Sequence, residues 1–171
     1  MKTLILMRHS QAVSNNPAYA DHERPLTEAG RQLMESTAKA LEPWAIDQVI
    51  CSSAVRTFET AQLLAASNAP RLEPLVAKDL YLAPPEAYPR TAAELADSET
   101  DVLLMIGHNP GIASLIWSLS QEAVPISPGT AAVFQVRIDD WSELSRSSAG
   151  SGRLTELSDL IALVSSGARI R

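Results

Sequence analysis

Apolar residues arrive along this chain in short unbroken runs that alternate with stretches of helical spacing. Residues 3–8 (TLILMR) and 101–107 (DVLLMIG) stay apolar until a polar stop, the pattern of parallel strands buried on both faces. DQVICSS, residues 47–53, reads as a second strand. RLEPLV, residues 71–76, is a weaker third strand, and Pro74, which has no N–H for the ladder, assigns it to a sheet edge. AAVFQVRI, residues 131–138, alternates and reads as a further strand. The Ser/Gly-rich SRSSAGSGR reads as a flexible loop leading to a last short strand near 153–157, and the tail beyond about 158 reads as helical.

Helical periods fill the gaps. Thr27 caps a helix over 28–42 in which Leu33, Met34, Thr37, Ala38 and Leu41 share one face, and Pro43 ends it. Ser52 or Ser53 caps a second helix over 54–66. A short helix starts from about 91. Asn109-Pro110 cap and begin another that runs to about 120, with proline at the tolerated first position. Strands alternating with helices imply an α/β layer fold with a largely parallel sheet, the two most apolar strands at its centre.

Bulk properties narrow the function. A chain of 171 residues is expected to form one domain over 1–171. Apolar residues at 46% and charged residues at 20% are ordinary globular values. A net charge of −6 argues against a nucleic-acid partner but leaves room for a local basic pocket. The single cysteine, Cys51, lies in a strand and reads as an inert buried thiol. The apolar run before Arg8 is too short for a signal peptide and no run approaches a membrane span. A cytoplasmic protein with no membrane partner is therefore the expectation. With three histidines and no HxxxH or CxxC spacing, neither a metal nor any other cofactor is expected, and the chain is expected to be a monomer.

Chemistry enters through four residues. Arg8 and His9 follow the first strand at its carboxyl end, Arg56 lies just past the second, and His108 follows 101–107. In open α/β sheets these ends line the crevice where ligands bind. Two guanidiniums with no acidic neighbour in sequence suit an anion, and their planar forks match phosphate oxygens. Helix N-termini at 53–56 and 109–110 add amide donors. A neutral imidazole there can act as a nucleophile, and the second can donate to a phosphoryl oxygen as charge builds.

LMRHS, SSAVRTFETA and IGHNPG together resemble the signature of the histidine phosphatase superfamily, which has the phosphoglycerate-mutase-like fold. DHERPLTEAGR, residues 21–31, is similar to a segment of its small SixA-type phosphohistidine phosphatase branch. The resemblance covers roughly residues 3–157. It implies a three-layer α/β/α sandwich with a mostly parallel six-stranded sheet, order 3-2-4-1-5-6, strand 5 antiparallel. It also implies that His9 is the phosphate-accepting nucleophile and that Arg8, Arg56 and His108 form the phosphate pocket; Ser10 and Asn109, next to these in sequence, are expected to join the phosphate-binding set.

Two departures stand out. Arg-His-Ser replaces the family's Arg-His-Gly; the family uses the third residue's carbonyl to hold the histidine tautomer, so Ser10 keeps that atom but can alter the backbone angles. The stretch 77–100, where larger members carry a general acid, is short. It offers Asp79 and Glu86, so Asp21 and Glu86 are the candidate acids. Glu59 is expected to cap or pair with an arginine, Ser52 and Thr57 to cap the helix, and His22 to be solvated. The expected activity is a phosphohydrolase working through a covalent phosphohistidine, acting on phosphohistidine of a protein at a shallow, solvent-facing crevice. The alternatives are a phosphatase for small phosphate esters and a non-catalytic phosphate- or phosphohistidine-binding module.

Overall fold

The computed structural model describes residues 1–68, 72–148, 153–165 and 168–170. The two continuously apolar runs form β1 (Lys2–Arg8) and β4 (Val102–Gly107), paired in parallel from Thr3↔Val102 to Arg8↔Gly107. Their side chains divide between two cores. Leu4, Leu6, Leu103 and Met105 face one side of the sheet, and Ile5, Met7, Leu104 and Ile106 the other. Neither face meets water, which is why the sequence does not alternate.

The first core is closed by α3 (Ala87–Leu95), α4 (Gly111–Ser120) and α5 (Ser142–Ser148), and the second by α1 (Glu28–Leu41) and α2 (Val55–Asn68). In α1, Met34, Thr37, Ala38 and Leu41 are buried as expected, and Thr27 Oγ1 accepts the Gly30 amide as the N-cap. With β2 (Gln48–Ser52), β3 (Leu75–Ala77), β5 (Ala131–Val136), β6 (Ser158–Ser165) and β7 (Ala168–Arg169), the sheet order is β3-β2-β4-β1-β5-β6-β7. The expected order holds, β5 runs antiparallel to β1, and β7 adds a two-residue seventh strand. β3 begins just after Pro74 and lies at the edge. Cys51 is fully buried and its thiol is pushed up to about 12 by burial, so it stays protonated.

Several expectations are corrected. Residues 153–157 are a helix, α6 (Arg153–Leu157), and the strand is the tail at 158–165. Leu154 and Leu157, spaced i and i+3, pack on the core from one helical face, whereas Ala162, Leu163 and Val164 are buried in the sheet beside β5. The Ser/Gly-rich stretch is helical as far as Ser148, and residues 149–152 lie outside those described. β5 is buried at every position but Gln135 rather than alternating, because β1 and β6 flank it and both cores cover it. α3 starts at Ala87, with Pro89 in the first turn, where a missing N–H costs nothing. Asn109 does not cap α4; its Nδ2 donates to the Ile126 carbonyl at 3.0 Å.

The parallel strands β1, β2 and β4 all end at one edge, which delivers Arg8, Ser52 and Gly107 to the same crevice. Gly30 lets the chain leave that edge closely over α1, since a Cβ there would stand 2.2 Å from the Gln11 carbonyl oxygen.

Candidate functional site

His9 leaves β1 with its amide donating to the Gly107 carbonyl at 3.1 Å, which ties it to the end of β4. Its Nδ1 lies 2.7 Å from the Ser10 carbonyl oxygen. A carbonyl can only accept, so Nδ1 carries the proton and Nε2 keeps its lone pair. That lone pair accepts from Arg56 Nε at 3.3 Å. Burial, reinforced by the positive charges of Arg56, Arg8 and Arg24, pushes the His9 pKa down to about 4 against the opposing Ser10 bond.

His108 is held from three sides. Its amide donates to the Tyr88 hydroxyl at 3.2 Å, its Nε2 lies 2.7 Å from Ser52 Oγ, and its Nδ1 is 3.4 Å from Arg56 Nη2. The two imidazole rings sit edge to face with centroids 5.3 Å apart. Burial, then the charges of His9 and Arg56, lowers the His108 pKa to about 3. Arg8 Nη1 donates to the Ile126 carbonyl at 3.0 Å, while its buried Nε has no hydrogen-bond partner among the described residues.

Arg56 is the hub, reaching His9, His108 and the Asp21 carboxylate. Asp21 Oδ2 accepts from Arg56 Nη2 at 3.1 Å and from the Tyr81 hydroxyl at 2.6 Å, and Oδ1 accepts from Arg24 Nη2 at 2.8 Å. These donors, Tyr81 foremost, hold the Asp21 carboxyl well below the usual carboxylate range. Asp21 is thus an ionised partner of the arginines, which argues against its use as a general acid. Tyr81 is no substitute, because its bond to Asp21 raises its own pKa. Glu86 is exposed and lines a depression with Pro85, Pro89, Leu115, Ser118 and Leu154, none of them a site group; Asp79 is exposed as well.

Other expected roles shift too. Ser10 is fully buried with its hydroxyl donating to the Gly30 carbonyl at 2.8 Å, so that hydroxyl faces α1 rather than a ligand. Ser10 is also absent from the positive-φ residues, so replacing glycine there costs no strained backbone. Asn109 is half-buried and turned to Ile126. Glu59 pairs with Arg31 at 3.0 Å and accepts the Leu26 amide at 2.7 Å, as expected. Thr57 donates to the Ser52 and Ala54 carbonyls instead of capping. His22 is half-buried, with Nε2 3.0 Å from Ser53 Oγ and its ring against Tyr81.

Three of the four expected site groups are more buried than a solvent-facing crevice implies. His9, His108 and Arg56 are 9%, 2% and 1% exposed, with Asp21 and Tyr81 bonded over Arg56. Sequence reading missed Tyr81, Arg24 and the Ser52–His108 contact. Arg24 lies within the 21–31 segment that carries the SixA-type resemblance, whereas nothing in the sequence around Tyr81 marks it. Among the described residues no group of three or more His, Cys, Asp or Glu side chains could hold a metal ion, and no helix is long and apolar enough to cross a membrane.

The buried histidines make stability depend on pH. Between about 6.5 and about 4 the unfolded chain binds protons that folded His9 and His108 refuse, so stability falls as pH falls through this window. Thermal melts should show a Tm that drops from pH 7 to pH 4. The drop should be shallower in a His9→Asn, His108→Asn double variant; an equal slope would assign the effect to other groups.

The sheet order, its covering helices and the crevice at the carboxyl ends of β1, β2 and β4 define an α/β protein of the phosphoglycerate-mutase-like class. Residues 4–80 match the sequence profile of the histidine phosphatase superfamily, branch 1, and the whole fold is similar to that of SixA-type structures. An uncharacterized chloroplastic protein of Arabidopsis thaliana is 25% identical over 154 residues, covering 83% of this chain and 70% of that one. A protein assigned as phosphohistidine phosphatase SixA from Nakamurella multipartitia superposes with a TM-score of 0.79 at 24% identity, covering 96% of this chain and 95% of that chain. One assigned as an alpha-ribazole-5'-P phosphatase from Escherichia coli gives 0.67 at 17% identity, covering 97% and 98%.

Proposed function

We propose that this chain is a phosphohydrolase that passes a phosphoryl group through His9 and that its substrate is phosphohistidine on a protein. The observation that carries the reading is the His9 tautomer: Nδ1–H is committed to the Ser10 carbonyl, so the Nε2 lone pair faces the arginine-lined pocket. In the first step Nε2 forms a bond to phosphorus as the bond to the substrate's leaving atom breaks. In the second, water forms the new P–O bond, the His9 N–P bond breaks, and inorganic phosphate leaves. Arg56, Arg8 and His108 hold the phosphoryl oxygens, with the Nη2 of Arg56 exchanging Asp21 for the ligand.

The choice of leaving group rests on Asp21. An alkoxide needs a proton as it departs, and a carboxylate kept ionised by two arginines and a tyrosine has none to give. An imidazole is a far weaker base than an alkoxide and leaves as a neutral ring when its other nitrogen already carries a proton. The Asp21 carboxylate can accept that N–H. The SixA-type neighbours support the same substrate class, while the alpha-ribazole-5'-P phosphatase assignment supports a small ester.

A phosphohistidine peptide should be turned over with a kcat/KM at least about tenfold above that of sugar phosphates, a difference near 1.4 kcal/mol in barrier. Asp21→Asn, which loosens Arg56, should slow both substrates rather than the ester alone. A sugar phosphate winning by a similar factor would replace this reading with the small-ester one. Tight phosphate binding without turnover of either would replace it with a binding module.

A further inference from the structure

We propose that Ser52 is a positioning residue for His108, its hydroxyl supporting whichever ring tautomer the occupied or empty phosphate pocket requires. The inference rests on the phosphoryl-transfer reading only in treating the pocket as an anion site. Ser52 is the last residue of β2 and is fully buried. Its carbonyl is taken by the Thr57 hydroxyl at 2.7 Å, and its Oγ lies a long 3.4 Å from the Ala54 amide. The short contact of that Oγ is to His108 Nε2, at 2.7 Å.

That contact fixes what the other nitrogen can do. Nε2 is turned onto Ser52, which leaves Nδ1 facing Arg56 Nη2 at 3.4 Å on the side of the His9 ring. A guanidinium only donates, so with the pocket empty Nδ1 acts as acceptor, and the single ring proton sits on Nε2 and is donated to Ser52 Oγ. A phosphoryl oxygen only accepts, so His108 can bind it only through an Nδ1–H. The ring then needs a donor at Nε2. A serine hydroxyl has both a proton and lone pairs, and by rotating about its C–O bond it can serve either state. The ring keeps one proton throughout, the change of nitrogen occurring by exchange with water. A backbone carbonyl in the same place would lock one tautomer and exclude the other. The position of His108 is also supported by the Tyr88 hydroxyl, which accepts its amide, and by the Tyr81 ring, edge to face at 5.6 Å between centroids.

The test reads the tautomer directly. The sequence holds three histidines, so ¹⁵N-detected ring spectra of the full chain can be assigned with one variant per histidine. With the pocket empty His108 should show Nε2–H, and saturating inorganic phosphate should convert it to Nδ1–H while His9 stays Nδ1–H. In Ser52→Ala the conversion should be lost and kcat for the phosphohistidine peptide should fall about tenfold with little change in KM, because the missing donor matters most as charge develops on the phosphoryl oxygens. Ser52→Thr, which keeps the hydroxyl, should restore both the conversion and most of kcat. Wild-type His108 that keeps Nε2–H with phosphate bound, or phosphate that perturbs none of the rings, would overturn the proposal. So would Ser52→Ala behaving as wild type in both readouts. The spectral arm needs phosphate and no turnover, so a chain that shows the conversion yet hydrolyses nothing upholds the role of Ser52 while refuting the hydrolase reading.

Discussion

His9→Ala should abolish phosphohistidine turnover, with a loss on the order of 10⁴-fold, the scale seen when the attacking group of a concerted site is removed. Rapid quench with ³²P-labelled substrate should trap an acid-labile, base-stable label on the wild-type chain and none on the variant. The size of the effect comes from the geometry. In the proposed reaction the nucleophile is the Nε2 lone pair of His9, which the Ser10 bond to Nδ1 leaves unprotonated, and burial with three nearby guanidiniums keeps it so down to about pH 4. The second imidazole is not the acceptor in this reading, because its Nε2 is turned onto Ser52 and its Nδ1 carries the proton once a phosphoryl oxygen is bound. A label that survives in His9→Ala would place the phosphoryl acceptor elsewhere.

Arg56→Lys should lower kcat/KM by roughly 10- to 100-fold, the value of about 1.5–3 kcal/mol for a lost charge-assisted hydrogen bond. An ammonium keeps the charge but cannot span His9, His108 and Asp21 together. Sequence reading placed Arg56 at a solvent-facing crevice and implied no effect on folding. Its 1% exposure changes that expectation: the variant should also melt at a lower temperature, because an unmatched cation remains in a desolvated site. The loss is tempered by Asp21, whose carboxylate is 38% exposed and regains water. Turnover per folded molecule equal to wild type, with only the melt changed, would make Arg56 structural.

The regular elements near the site were legible because their signals are local. Continuous apolar runs marked β1 and β4 as buried on both faces, and Thr27, Pro43 and Pro74 marked a cap, a stop and an edge. The C-terminal third was read less well. Helix and strand were exchanged at 153–165 because a five-residue helix and a short strand carry too few turns for periodicity to separate them. The tail's place in the sheet depends on pairing with β5 rather than on its own pattern.

By itself the sequence determined the α/β class and the delivery of Arg8, His9, Arg56 and His108 to one sheet edge. The end of a strand and the polar residues just beyond it are written in consecutive positions. Only the tertiary structure decided what those groups touch. Tyr81 meets Asp21 across 60 residues of chain and Ser52 meets His108 across 56. It turned Asp21 from a candidate acid into an ionised partner of Arg56, moved Ser10's hydroxyl onto Gly30, and gave Ser52 to His108. Protonation states and hydrogen bonds depend on separations of a few tenths of an ångström between elements packed from distant parts of the chain, and no local pattern of residues encodes those separations.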